Sequence, residues 1–280
     1  MSSVRQTDAP MTTEALVHER EAAFHDAWAS DTRIEEVLAR ECFEAPAALE
    51  NQFILSLMGS LSGKSVLDVG AGLGESSVYF ALRGARVTIV DIAPQMVETA
   101  LHLARRYGVE LQGIVGGAED LNLPNAAYDI VYVANTIHHV RDRASLFEQM
   151  RRALKPGGMF FSYDPLAYNP VINLYRRMAT SVRTEDESPL TRDDIKLAQR
   201  YFHCVQHREF WIASLLLFVK YYLKDGVHPN QDRYWKRILR ETPQSLGWWM
   251  PLRYLDSVLT RLPLVRWLSW NVVMWGQKPR

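Results

Sequence analysis

Residues 65–77 read SVLDVGAGLGESS, and RVTIVD follows a little later, ending at Asp91. Apolar residues run through an acid, Asp68, and three glycines then stand at alternate positions, Gly70, Gly72 and Gly74. A strand that passes through a glycine turn straight into a helix leaves unpaired backbone N–H groups at the positive end of the helix dipole. Glycine lets a ligand approach the backbone closely. An acid closing the next strand about twenty residues later stands where it can accept both ribose hydroxyls of a nucleoside lying across the carboxyl edge of a sheet. The stretch predicts a parallel α/β sheet with a nucleoside site at its edge.

The rest of the chain fits that frame. Helical patterning over Glu14–Ala29, Ile34–Ala39 and Ala47–Met58 follows a polar arm at residues 1–12. From Ser65 the pattern alternates: strands at 65–69, 86–91, 110–115, 128–133 and 159–163, with helices at 74–82, 94–107 and 143–154. Strand alternating with helix means a parallel sheet covered on both faces, and right-handed crossovers fix most of its topology. With 280 residues, 48% hydrophobic, the chain can bury a full-sized core. Cys42 and Cys204 stand far apart without CxxC spacing, so neither zinc nor a disulfide framework is expected and a reducing cytoplasm fits. The polar N-terminal stretch has no apolar h-region, so no secretory signal is expected.

A lone glycine loop is weak, and dinucleotide binders favour GxGxxG, whereas here the third glycine comes one position early. The loop resembles motif I of the class I S-adenosylmethionine-dependent methyltransferases. The likeness continues through GGAEDLNLPNAAYDIVYVANTIHHVRD (116–142) and LKPGGMFFSYDP (154–165), and is nearest the ubiquinone and menaquinone methyltransferase-like group acting on small molecules. The resemblance implies a Rossmann-like, doubly wound, mostly parallel sheet with helical N-terminal and C-terminal cap elements. It divides the chain into an arm or lid (1–44), a donor-binding core (45–165) and a substrate cap with the closing strands (166–280). S-adenosylmethionine is then the methyl donor. Gly70 and Gly72 admit its methionine moiety, with Ala71 and Gly74 in the same loop. Asp68 supports its amino end, Asp91 with Ile92 meets the ribose, Ala118 and Glu119 flank the adenine, and Asn135 lies beside the methionine moiety. Where relatives place Asp before that alanine this chain has Gly117, so either the exocyclic amine of adenine loses a partner or Glu119 or Asp120 replaces it.

Methyl transfer from a sulfonium needs the nucleophile held in line in a dry site, and a base where the nucleophile carries a proton. His139 and His138, just past the fourth strand, stand where a base is useful. The competing reading makes them packing residues. His138, His139 and Asp142 lack a further ligand, so no metal is expected. Tyr163, Tyr168 and Arg176 are candidates for the acceptor pocket. Asp164-Pro165 reads as a strand-ending turn, and RTEDE (183–187) as a solvated helix-cap turn.

Residues 201–280 carry twelve Lys/Arg against five Asp/Glu and seven of the eight tryptophans. Helical patterns there, IASLLLFVKYYL (212–223) and PLRYLDSVLTRLPLV (251–265), read as an insertion between the last two strands, forming a cap. Two readings stay open for it. One is a lid whose aromatics are core or line a greasy acceptor pocket. The other is membrane-surface contact through residues 245–267, with Trp248 and Trp249 at headgroup level and Arg253, Arg261 and Arg266 on anionic lipid. Charged residues interrupt both segments, which rules against a spanning helix. The expected activity is methyl transfer to a small lipophilic acceptor such as a quinol, terpenoid, polyketide or lipid precursor. The rival is a noncatalytic S-adenosylmethionine-binding scaffold or regulator. ANTIHHV in place of an NPPY-like loop, with no cysteine after the fourth strand, argues against a nucleic-acid methyltransferase.

Overall fold

The computed structural model describes residues 13–119, 123–184 and 186–280; the arm at 1–12 and Asp120 lie outside the described residues. Five parallel strands, β1 (Ser65–Val69), β2 (Arg86–Asp91), β3 (Leu111–Val115), β4 (Tyr128–Ala134) and β5 (Leu154–Pro165), are joined by two late strands, β6 (His203–Phe210) and β7 (Asn271–Gln277). The order across the sheet is β3-β2-β1-β4-β5-β7-β6. β7 runs antiparallel to both β5 and β6.

Helices cover both faces: α1 (Thr13–Asp31), α2 (Glu41–Glu44), α3 (Leu49–Met58), α4 (Glu75–Leu82), α5 (Pro94–Arg106), α6 (Arg143–Ala153), α7 (Pro170–Met178), α8 (Arg192–Tyr201), α9 (Leu216–Leu223) and α10 (Tyr234–Leu259). Their starts follow local chemistry. Asp142 accepts from Ser145 N at the head of α6, and Asn169 accepts from Val171 N and Ile172 N ahead of Pro170 in α7. α8 was not expected inside its charged stretch. Its signal is a capping box, Thr191 and Asp194, in which each side chain serves the other end of the turn.

The central strands are buried on both sides, which is why SVLDV and DIVYVA read as nearly unbroken apolar runs. On one face Phe43 stacks on Tyr79 at 4.3 Å and Phe80 meets Tyr132 edge-on at 5.0 Å. On the other, Phe160 lies 4.3 Å from Phe202. Each such fully buried ring is worth about 1.5–3 kcal/mol by area alone.

Two covers close over the carboxyl edge. α1 packs along α5, where Asp26 Oδ1 accepts from Gln95 N at 2.8 Å, and Arg20 reaches Asp186 at 2.8 Å. From the other side α10 meets it: Trp235 lies edge-on to Trp28 at 6.1 Å, Arg233 sits 4.0 Å above the Trp28 ring, and Lys236 pairs with Glu75 at 3.0 Å.

The tail departs from its expected geometry. Trp249 is fully buried, 5.9 Å from Trp211, because its face of α10 packs on the turn after β6. Arg266 is drawn down onto Glu209, Nε to Oε2 at 2.6 Å. Trp248 alone of the two indoles is open, at 40% exposure. Among the described residues no helix is long and apolar enough to cross a membrane.

Candidate active site

β1 and β4 lie side by side while their connections leave toward opposite edges of the sheet, which opens a crevice at their carboxyl ends. A cavity of about 360 Å³ fills it. β1 and its loop supply Asp68, Gly70, Ala71 and Gly72; β2 supplies Asp91 and Ile92; the turn after β3 supplies Ala118 and Glu119; the turn after β4 supplies Asn135 and Thr136. Gly70 has φ 69°, and a Cβ there would come within 2.2 Å of Thr136 Oγ1. At Gly72 a Cβ would meet nothing within 4 Å, so this stretch of backbone faces open cavity. Its N–H donates to Asp91 Oδ2 at 2.8 Å, and Ala93 N donates to Oδ1 at 3.0 Å. Each carboxylate oxygen keeps a lone pair for a ligand hydroxyl. Burial pushes the Asp91 carboxyl up, against the pull of those two N–H groups. Asp68 accepts from Ser77 Oγ at 2.5 Å, and burial raises it to about 7.

Gly74 stands apart from the cavity wall. It is the left-handed residue that starts α4, and a Cβ on it would fall 2.6 Å from that of Ala100. Its place is helix packing. Glu119 does line the cavity, but His18 of α1 holds its Oε2 at 3.2 Å.

His138 and His139 occupy one 3-10 turn after β4. His138 Nδ1 lies 2.7 Å from Asp164 Oδ1, and its backbone N–H donates to the same oxygen at 3.2 Å. Burial and the charge of His139 push the His138 imidazole well down, so it stays neutral. Burial raises Asp164 to about 8, despite the His138 N–H and Arg143. The turn expected at Asp164-Pro165 is instead continuous strand, paired with Val272 and Asn271 of β7, and its carboxyl anchors His138.

His139 has a different partner. Its Nδ1 lies 3.1 Å from Glu21 Oε2 of α1, which also faces His25 Nε2 at 3.5 Å. Burial alone would lower His139, but the Glu21 bond and the nearby Glu187 charge outweigh it and raise the imidazole above its ordinary value. Burial works against Glu21 as well, yet its bonds to His139 and His25 hold it well below the usual carboxylate range.

RTEDE is not a solvated turn. Arg183 and Glu187 are mostly buried and paired, and Glu187 Oε2 stands 3.9 Å from His138 Nε2; Glu185 lies outside the described residues. Asp186 pairs with Arg20 and Arg141. Ligand-type atoms of Glu21, His25 and His139, and of His138, His139 and Glu187, come within 4.8 Å of one another. Glu21 already meets both of its histidines and Glu187 meets Arg183, while Asp142 faces away as the cap of α6.

A family described as a methyltransferase domain matches residues 67–162, the span that holds the donor-side residues from Asp68 to Asn135. This segment matches a methyltransferase domain. A demethylmenaquinone methyltransferase of Tropheryma whipplei is 32% identical over 125 residues, covering 43% of this chain and 52% of its own length. A ubiquinone biosynthesis O-methyltransferase of Xylella fastidiosa is 35% identical over 103 residues, 36% of this chain and 42% of its own. The chain thus spans about half the length of the curated relatives it matches. Two solved structures share the fold. A chain from the complex of the Haloferax volcanii Trm112 methyltransferase activator with a methyltransferase superposes with TM-score 0.59 at 19% identity, over 91% of this chain and 98% of that one. Haemonchus contortus phosphoethanolamine N-methyltransferase 2, solved with phosphomonomethylethanolamine and S-adenosylhomocysteine, gives 0.57 at 16% identity, over 96% and 58%.

S-adenosylmethionine is the methyl donor of the methyltransferase domain, and the residues fit it. The open backbone at Gly72 leaves room for the ligand, and Asp91 presents anchored oxygens with spare lone pairs. Ile92 and Ala118 offer apolar walls further along.

Beyond the methyltransferase domain proper, Tyr163 and Arg176 line the cavity as expected, and Tyr163 bonds to Asn135. Tyr168 is outside it: 39% exposed, it accepts from Arg192 N at 3.0 Å at the head of α8. Sequence reasoning missed Glu21, His25, Glu50 and Glu187 in the wall. Glu50 is buried, pushed up by desolvation, and accepts from Asn271 Nδ2 at 2.6 Å. The one available signal was in α1, where His18, Glu21, His25 and Trp28 recur at helical spacing and share the face turned to the cavity.

Proposed function

We propose that this chain transfers the methyl group of S-adenosylmethionine to a small, largely apolar acceptor of the quinol, terpenoid, polyketide or lipid-precursor kind, with His139 as the base. The observation that carries the reading is the His139–Glu21 pair, 3.1 Å apart in the wall of the donor cavity. With Nδ1 turned to Glu21, the proton-accepting atom of neutral His139 is Nε2. Glu21 then steadies the imidazolium that forms when an acceptor hydroxyl or activated carbon gives up its proton. The bound donor supplies a methyl group on a positively charged sulfur. His138, neutral and tied to Asp164, fixes the turn that aims His139. Trp211, Trp235 and Trp270 from the cap give the cavity aromatic walls, which supports an apolar acceptor and shields the reaction from water. The quinone-pathway names of the matched relatives lean the same way.

Incubating the protein with methyl-labelled S-adenosylmethionine and a lipid extract of the native host tests this. A labelled apolar product should form together with S-adenosylhomocysteine, and both should fall away in His139→Ala. A protein that binds the donor yet yields no S-adenosylhomocysteine would be a noncatalytic binder, and the reading would fail.

We further propose peripheral contact with a membrane through the same segment, residues 245–267, but with other residues than Trp249 and Arg266 as its anchors. Met250, Tyr254, Leu255, Val258, Leu262 and Leu264 are all exposed, Leu264 at 79%, along the end of α10 and the turns beyond it, with Arg261 among them. Flotation with anionic vesicles should carry the protein upward at low salt and less so at high salt. Protein that stays wholly at the bottom at low salt removes the idea.

A further inference from the structure

α7 turns one face to the cavity through Ile172, Tyr175 and Arg176. The guanidinium of Arg176 is fixed at one nitrogen only: Nη1 donates to Leu166 O at 3.2 Å and to Asn173 Oδ1 at 3.0 Å. Nη2 is buried and has no hydrogen-bond partner. The nearby carboxylates each face another partner, although Asp164 Oδ2 and both Glu21 oxygens accept no well-aligned hydrogen bond. Glu187 is bound by Arg183, Nε to Oε2 at 2.6 Å, and Glu21 by His139 and His25. Asp164 is committed to His138. A buried guanidinium nitrogen without a partner is costly, and the anion of a ligand would relieve that cost.

We infer that the acceptor carries a carboxylate, bound by Arg176 Nη2 in the cavity wall formed by α7. The inference rests on the methyl-transfer reading of this cavity and adds the acceptor's charge to it. Burial and the neighbouring Arg183 charge hold the Arg176 guanidinium down at about 10, and the nearby Glu187 charge offsets them only in part. One free nitrogen in a fixed fork suits a single oxygen of a monoanion, whereas a phosphate monoester would ask for several donors and more than one cation. Ile172, Tyr175 and Trp211 line the same cavity, so the ligand's remaining surface is apolar or aromatic. The acceptor class is therefore an apolar or aromatic acid that also bears the group to be methylated.

The test uses the full chain loaded with S-adenosylhomocysteine and titrated in a calorimeter with 3,4-dihydroxybenzoate, benzoate and decanoate, each beside its methyl ester, and with phenyl phosphate. At least one acid should bind about tenfold or more tightly than its ester, as expected for a charge-assisted bond. Arg176→Gln should abolish that preference while S-adenosylhomocysteine affinity stays unchanged. Should Arg176→Gln not fold, Arg176→Lys keeps the charge without the planar fork, and should retain a weakened preference for the acid. Equal binding of acids and esters, binding of none of them, or a preference that survives Arg176→Gln overturns the inference. Phenyl phosphate bound more tightly than every acid overturns the choice of carboxylate. Failure of the methyl-transfer reading would look different: no binding of S-adenosylhomocysteine in the first step, or no S-adenosylhomocysteine formed from the donor in the labelled-methyl assay.

Discussion

On the proposed reading the cavity has a donor end and an acceptor end, and the two are built from different materials. The donor end is mostly main chain: glycine turns, N–H groups and one anchored acid, Asp91, all within a single run of strand, turn and helix. The acceptor end is side chain, a set of buried charges brought by α1, by α7 and by the segment before α8. A backbone-built site is set once its strands pair. A charge-built site exists only when several distant segments have all docked, so its residues answer to one another and to pH.

The sharpest break between the two ends should come from His139→Ala. Turnover is expected to fall by about 10²–10⁴-fold with donor affinity nearly unchanged. A parallel loss of both, seen by calorimetry beside a rate assay, would mean that the ends are not separable. The converse comes from the donor end. Asp91→Ala removes charge-assisted contacts worth about 1.5–3 kcal/mol, so donor affinity should drop on the order of tenfold or more. Gly72→Val should do at least as much by filling the open face of the loop. Unchanged donor affinity in both folded variants would defeat the assignment.

A third experiment sharpens the comparison through pH. His139 titrates above its ordinary 6.5 because of Glu21 and Glu187, despite burial. The stability it contributes is therefore fully present below pH 6.5 and is lost as pH rises through the raised value. As a base it works only once deprotonated, so kcat/KM should climb over the same window in which thermal stability declines. In Glu21→Gln the climb should move to lower pH and the stability loss should flatten. A wild-type profile that stays level above pH 6.5 would remove His139 as the base. The smallest effect belongs to Tyr168→Phe, which lies outside the cavity and loses one bond to Arg192. Activity should stay within twofold and stability within about 1 kcal/mol, as measured by urea unfolding.

The same division decides what could be read from the chain. β1, β2 and the donor loop are local, so apolar runs, glycine spacing and the closing acid mark them within thirty residues. Gly74 shows the limit of that reading, since a glycine needed for packing against Ala100 spells the same as one needed for a ligand. The acceptor end is non-local. Glu21 and His139 are 118 positions apart, and nothing in either neighbourhood names the other. RTEDE read as solvent-facing because charge runs usually are, and only the tertiary fold turns Arg183 and Glu187 inward. Trp249 and Arg266 looked like an interfacial pair until packing on Trp211 and Glu209 claimed them.

α1 is pinned to the rest of the molecule by His18 on Glu119, Glu21 on His139, Arg20 on Asp186 and Asp26 on Gln95, the first two in the cavity wall. Such a strap is also a clock. A nucleoside bound beneath it would leave sooner if the clasps that line the cavity, His18 on Glu119 and Glu21 on His139, were loosened, and more water would enter in its place.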